Sequence, residues 1–127
     1  MIGDAVVLRK WTGRIRTADQ DQYGEYVSRT GAKDYGSTPG NLGWQILMRP
    51  LGDGTSEVTT LSWWVSMDAI RKFAGAEPEL ARYYPEDDRF LIDRPLYVEH
   101  HRVVGSQVQL TMGLGSTGNR SAKRKIS

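Results

Sequence analysis

Hydrophobic and polar positions divide the chain into short runs with two different periods. Residues 5–15 are rich in β-formers (Val6, Val7, Leu8, Trp11, Ile15), with Lys10 and Arg14 interrupting them, which predicts a first strand. Thr17 then stands three residues before Gln20, with Asp19 between them, the pattern of a capped helix start. Tyr23, Tyr26, Val27 and Thr30 follow at i, i+3, i+4 and i+7, one stripe of a helix reaching about residue 33. Gly24 and Gly31 each weaken that helix by about 1 kcal/mol relative to alanine, so it depends on packing. Residues 36–41 form a loop by composition, and residues 44–49 and 57–65 read as two strands joined by the tight reversal Gly52-Asp53-Gly54, an antiparallel hairpin.

Ser66 offers its side chain as a cap, and Met67, Ile70, Phe73 and Ala74 line one face of a helix that stops at Gly75. Pro78 suits the first turn of a second short helix carrying Leu80, Ala81, Tyr83 and Tyr84, which Pro85 ends. Glu86-Asp87-Asp88-Arg89 reads as a solvated charged turn pairing with Arg82 or Arg89, and residues 96–104 as the last strand, which 107–112 could extend.

The resulting order, β-α-β-β-α-β, is the split βαβ pattern of ferredoxin-like folds: an α+β class with an antiparallel sheet whose helices cover one face. The strand period of two puts Trp63 and Trp64 on opposite faces, and likewise His100 and His101. A monomer would therefore expose aromatic surface, and the expectation is a homodimer pairing sheet against sheet.

At 127 residues, 39% of them apolar and 25% charged, the chain has the size and composition of one globular domain. That domain is expected over residues 1–112, with a disordered basic tail at 113–127. No apolar run is long enough for a membrane span, and Met1-Ile2-Gly3-Asp4 lacks the basic-then-apolar order of a leader, so the expected location is cytoplasmic. The absence of cysteine removes disulfides, thiolate nucleophiles and cysteine metal sites. Of 17 basic residues, Arg120, Lys123, Arg124 and Lys125 close the chain, leaving 13 against 15 acidic ones before them. A mildly acidic body with a short basic end does not predict nucleic-acid binding. Gly113-Leu114-Gly115-Ser116-Thr117-Gly118 spells a dinucleotide loop, but no helix can follow it and no acid lies downstream for a ribose. Hydrolase elbows and nucleotide-gripping lysine loops are missing from the sequence.

The stretches 61–75 (Leu-Ser-Trp-Trp-Val-Ser-Met-Asp-Ala-Ile-Arg-Lys-Phe-Ala-Gly) and 81–91 (Ala-Arg-Tyr-Tyr-Pro-Glu-Asp-Asp-Arg-Phe-Leu), followed by Val98-Glu99-His100, resemble the antibiotic biosynthesis monooxygenase superfamily, in particular an uncharacterised branch of it. The likeness spans about residues 5–104 in element order, with its sharp motifs in 61–100. The resemblance implies a dimeric α/β barrel. Some members are cofactor-free oxygenases of anthrone-like aromatic substrates, others degrade haem, and others have no assigned reaction. In the first class the substrate's own rings stabilise its anion, which passes an electron to oxygen, and the protein need only bind, deprotonate and shield it.

For that chemistry the chain offers His100, Tyr83 and Arg89 as candidate catalytic groups. Histidine, with an ordinary pKa near 6.5, can act as a base at neutral pH. Trp44, Trp63, Trp64, Phe73, Tyr84 and His101 are the candidate substrate-binding residues, with packing as the competing role for each. No cofactor and no metal site is expected, because adjacent histidines on a strand point to opposite faces. The haem-degrading pattern has a helix tryptophan, a histidine ligand and a first-strand asparagine, where this chain has Phe73, Tyr83 and Trp11. The expected ligand is a small aromatic or apolar molecule, either as the substrate of a monooxygenase or held by a noncatalytic binding or structural dimer, with haem binding or degradation as the third reading.

Overall fold

A computed structural model describes residues 5–108. Its elements are β1 (Val7–Arg16), α1 (Gln20–Arg29), α2 (Gly31–Ser37), β2 (Asn41–Pro50), β3 (Thr55–Trp64), α3 (Met67–Ala74), α4 (Asp87–Phe90), β4 (Leu91–Asp93) and β5 (Glu99–Arg102). The sheet runs β2-β3-β1, and the far edge of β1 is shared by β5, opposite Val7–Lys10, and β4, opposite Arg14 and Ile15. All pairings are antiparallel. This is the strand order of a ferredoxin-like fold, with the last major strand beside the first. The tail expected from residue 113 lies outside the described residues. Among the described residues no helix is long and apolar enough to cross a membrane.

The alternation read from the sequence sets the two faces. On β3, Ser56, Val58, Thr60, Ser62 and Trp64 are buried beneath the helices, while Leu61 and Trp63 face the open side. On β1 the covered face carries Arg9, Trp11, Gly13 and Ile15. Two apolar clusters fill the space under the helices. One joins Trp11, Ile15, Tyr23, Tyr26 and Phe90, and the other joins Tyr35, Trp64, Ile70 and Phe73.

Ser66 caps α3 as expected, its Oγ accepting from the Ala69 amide at 3.1 Å. The hairpin turn also forms, with Gly52 and Gly54 both at φ +88° and Asp53 Oδ1 accepting from the Thr55 amide at 3.0 Å. The start of α1 differs. The Thr17 hydroxyl and the Gln20 side chain are both bonded to Ser56 on β3, at 2.8 and 2.7 Å, so they tie the helix to the sheet instead of capping it. The single helix expected through residue 33 is broken at Thr30, whose hydroxyl donates back to the Tyr26 carbonyl at 2.8 Å and whose backbone leaves helical geometry.

The largest departure is at 78–84, where a helix was expected: Pro78 and Glu79 form a turn, Leu80 makes a single antiparallel bridge to Tyr97, and 81–84 are irregular. Its backbone is spent on a clasp with 96–98: the Ala81 amide donates to Leu96 O and the Val98 amide to Glu79 O, each at 2.9 Å. The carbonyls of Pro78 and Leu80, which a helix would use internally, accept instead from the Arg9 guanidinium. The clasp also shortens the last strand to Glu99–Arg102; of the expected extension at 107–112, residues 107–108 add nothing to it and 109–112 lie outside the described residues. A four-residue helix, α4, replaces the expected charged turn.

Candidate functional site

A cavity of about 50 Å³, open on one side, lies where the two apolar clusters meet between helices and sheet. Its size suits a substituent or a few waters; a fused ring system needs more room. Trp11, Phe73, Tyr83 and Tyr84 supply aromatic walls, and Arg9, Arg82 and Asp87 supply charge.

Each group is fixed by a partner. Trp11 Nε1 donates to the Tyr83 hydroxyl at 3.1 Å, and that hydroxyl donates to the Pro95 carbonyl at 2.5 Å. The Trp11 indole can lie along the strand because residue 13 is glycine; a Cβ there would fall 2.6 Å from the ring. The Tyr84 hydroxyl donates to Asp34 Oδ2, which also sits 3.4 Å from the Arg82 guanidinium. Arg82 in turn stacks on Phe73 and Tyr84, 4.9 and 5.0 Å from the ring centroids. Burial, and then the hydrogen bond to Asp34, push the Tyr84 phenol well above its ordinary pKa.

Asp87 is the buried carboxylate of the site, 5% exposed. The Tyr23 hydroxyl donates to its Oδ1 at 2.9 Å and the Tyr84 amide to its Oδ2 at 2.6 Å. Burial raises its pKa, while the Tyr84 amide and the Tyr23 hydroxyl pull it down. The three-acid run is therefore not one solvated cluster. Its outer members are exposed: Glu86 pairs with Arg89 at 3.0 Å as expected, while Asp88 pairs with Arg94 instead of Arg82 or Arg89.

Arg9 is 3% exposed on the covered face of β1. Its Nη1 donates to Pro78 O at 2.5 Å and to His100 Nε2 at 3.0 Å, and its Nη2 donates to Leu80 O at 3.1 Å. Since guanidinium only donates, His100 Nε2 must accept, which makes His100 the neutral tautomer protonated at Nδ1. Burial first, and then the Arg9 charge, hold the His100 pKa below its ordinary value.

The candidates from the sequence thus separate. Tyr83, Tyr84 and Phe73 line the cavity, and His100 stands one step behind it, reaching it through Arg9. Trp64 is fully buried beside Tyr35 and Phe73, filling the second cluster. Arg89 is exposed on α4, paired with Glu86, and is not brought to Tyr83 or His100. Trp63 and His101 lie on the other side of the sheet, where His101 contacts Glu99 at 3.0 Å. They border a groove of about 880 Å³ between the open face and residues 103–108. Trp44 and Trp63 border an adjoining hollow of about 270 Å³. Sequence reasoning missed Arg9, Asp87, Tyr23 and Trp11 as site residues. Arg9 was legible, because the period of two places it with Trp11 and Ile15 on the apolar side of β1.

The sequence matches no family model and no curated protein. Solved structures do match. Two proteins each carry the name "putative antibiotic biosynthesis monooxygenase". The one from Bacillus cereus is 19% identical over 83% of this chain and 99% of its own, with a TM-score of 0.57. The one from Nitrosomonas europaea is 11% identical over 80% and 92%, with a TM-score of 0.53. A monooxygenase from the ActVA-Orf6 gene of Streptomyces coelicolor, solved in complex with nanaomycin D, is 18% identical over 87% and 96%, with a TM-score of 0.51. The chain has the fold of these antibiotic biosynthesis monooxygenases; at such identities the likeness is one of fold.

Proposed function

We propose that this chain, sharing that fold, is a cofactor-independent monooxygenase acting on a small aromatic molecule that ionises easily. The observation that carries the reading is the cavity between helices and sheet, whose walls are aromatic and whose charged groups are held in place by hydrogen bonds. A flat, resonance-stabilised anion would lie against Phe73 and Trp11, with the arginines balancing its charge. Its electron passes to oxygen, one oxygen atom stays on the ring as a carbonyl and the other leaves as water. The role left for the protein is to bind, take a proton and exclude water. Asp87, with its pKa raised by burial, is the better base, because the Nε2 lone pair of His100 is already occupied by Arg9. Tyr83, Tyr84 and Phe73 act as walls. A ring system would enter by parting the contacts among Arg82, Tyr84 and Asp34, two of which are partly exposed.

A second reading, a noncatalytic binder, is favoured by the Tyr83 hydroxyl, which already has two partners and is not free to serve a substrate. Oxygen uptake separates the two. Pure protein is expected to accelerate oxidation of an anthrone or a dihydroxynaphthalene, with Asp87→Asn abolishing the acceleration while leaving the chain folded. No acceleration over a varied panel of such compounds favours the binder.

The reading includes a homodimer. Leu8, Leu47, Leu61 and Trp63 form an apolar band on the open face of the sheet, Leu47 being 44% exposed. A second copy would cover it face to face. Sedimentation at micromolar concentration is expected to give twice the chain mass, and Trp63→Glu to give the monomer. A well-folded monomer from the unaltered chain would rule this pairing out.

A further inference from the structure

We propose that the ligand of the cavity carries a carboxylate, and that Arg9 and Arg82 hold that group against the Phe73 ring. This deepens the reading above by naming the class of substrate, an aromatic acid, and rests on it only for the claim that the bound molecule is oxidised. Arg9 is the anchor. Its three bonds go to two backbone carbonyls and a neutral imidazole, so every partner is uncharged, and no carboxylate among the described residues forms an ion pair with it. Those bonds use three of the five N–H groups of a guanidinium. Glu79 stands near enough for its charge to favour the Arg9 cation but makes no ion pair with it; a cation buried to this degree without a bonded counter-charge is costly, and an anion arriving in the cavity would reduce that cost.

The second cation points the same way. Arg82 also lines the cavity, and both guanidiniums lie against one ring, 5.7 Å (Arg9) and 4.9 Å (Arg82) from the Phe73 centroid. Two like charges around a common ring repel each other, and a bridging carboxylate accepts from both. Asp34 neutralises Arg82 in part from the exposed side, at 3.4 Å. The one carboxylate lining the cavity, Asp87, accepts from the Tyr23 hydroxyl and the Tyr84 amide, and none of the Arg9 hydrogen bonds goes to it. The free volume of about 50 Å³ suits a carboxylate head with its ring extending through the open side.

The test compares benzoate with benzamide, equal in shape and different in charge, by NMR titration of the full chain. Benzoate is expected to bind at least about tenfold more tightly, to lose that advantage as salt rises, and to shift the Arg9 Nε–H and His100 imidazole signals. Arg82→Gln, at a partly exposed position and with folding checked by its NMR spectrum, is expected to bring benzoate to the level of benzamide. Equal affinity of the two compounds, no binding of either, or a benzoate preference intact in Arg82→Gln would overturn the inference. Binding and turnover fail separately. Oxidation of neutral anthrones without a carboxylate preference sinks this inference alone, and carboxylate binding without oxygen uptake sinks the catalytic reading alone.

Discussion

Asp87→Ala is expected to destabilise the protein by about 3 kcal/mol, read as a lower urea midpoint with an unchanged slope. The alanine would leave two donors without an acceptor, the buried Tyr23 hydroxyl and the Tyr84 amide. An unsatisfied buried donor costs roughly 1–3 kcal/mol, and Phe90 and Tyr26, which pack against the Tyr23 ring, would lose its fixed position as well. The isosteric Asp87→Asn isolates the charge. Burial raises the folded pKa of Asp87 above its unfolded value of about 3.9, so between the two the native state binds the proton more tightly. The stability this group contributes is therefore complete below the unfolded pKa and declines as pH rises through the folded one. Asparagine does not titrate, and the penalty of Asp87→Asn is expected to shrink as pH rises through that window. A penalty that grows with pH would show that the carboxylate is held below its unfolded pKa, in which case its hydrogen bonds outweigh burial and the group loses its standing as a base.

Nothing local in the sequence sets Asp87 apart. Glu86, Asp87 and Asp88 are equivalent by composition, and three adjacent acids suggest solvent. The fold distinguishes them through α4, because the i, i+3 spacing puts Asp87 on the same inward side as Phe90 while Asp88 and Arg89 turn outward. The same local equivalence misled at 78–84, where Pro78, Leu80, Ala81 and the tyrosines are compatible with a helix. What excludes one there is remote: Arg9, from β1, takes the carbonyls of Pro78 and Leu80, and residues 96–98 take the Ala81 amide and the Glu79 carbonyl. Strand alternation needs no such remote information. It separated Trp63 from Trp64 and His100 from His101 across the sheet, because side-chain direction in a strand is a local property. The walls Phe73, Tyr83 and Tyr84 were legible for the further reason that they flank motifs of the fold. Of the polar half, strand alternation marks only the side of β1 on which Arg9 lies; its meeting with Asp87, Tyr23 and Arg82 is not legible, since these become neighbours only when β1, α1 and the segment before α4 close on one another.

Arg9→Met is expected to cost about 3 kcal/mol, although it removes a charge that is expensive to bury. The two effects have opposite signs, and their sizes decide the outcome. Burial lowers the Arg9 pKa, which marks a real desolvation penalty, and methionine would relieve it while filling much of the same volume. Against that, methionine leaves the carbonyls of Pro78 and Leu80 and the Nε2 of His100 without a donor, each worth roughly 1–3 kcal/mol when buried. Three lost acceptors outweigh one relieved charge, and the clasp between 79–81 and 96–98 should loosen with them. His100 provides an independent readout. Burial and the Arg9 charge both lower its folded pKa, so the native state binds its proton less tightly than the unfolded chain does. Its contribution to stability is present above the unfolded value near 6.5 and lost as pH falls through the folded value. With Arg9 gone the charge component disappears while burial remains, and the imidazole signals in an NMR titration should move to a higher pKa that is still below 6.5. A variant as stable as the parent, with the His100 titration unmoved, would mean that Arg9 neither braces the segment before α4 nor places its charge beside the cavity.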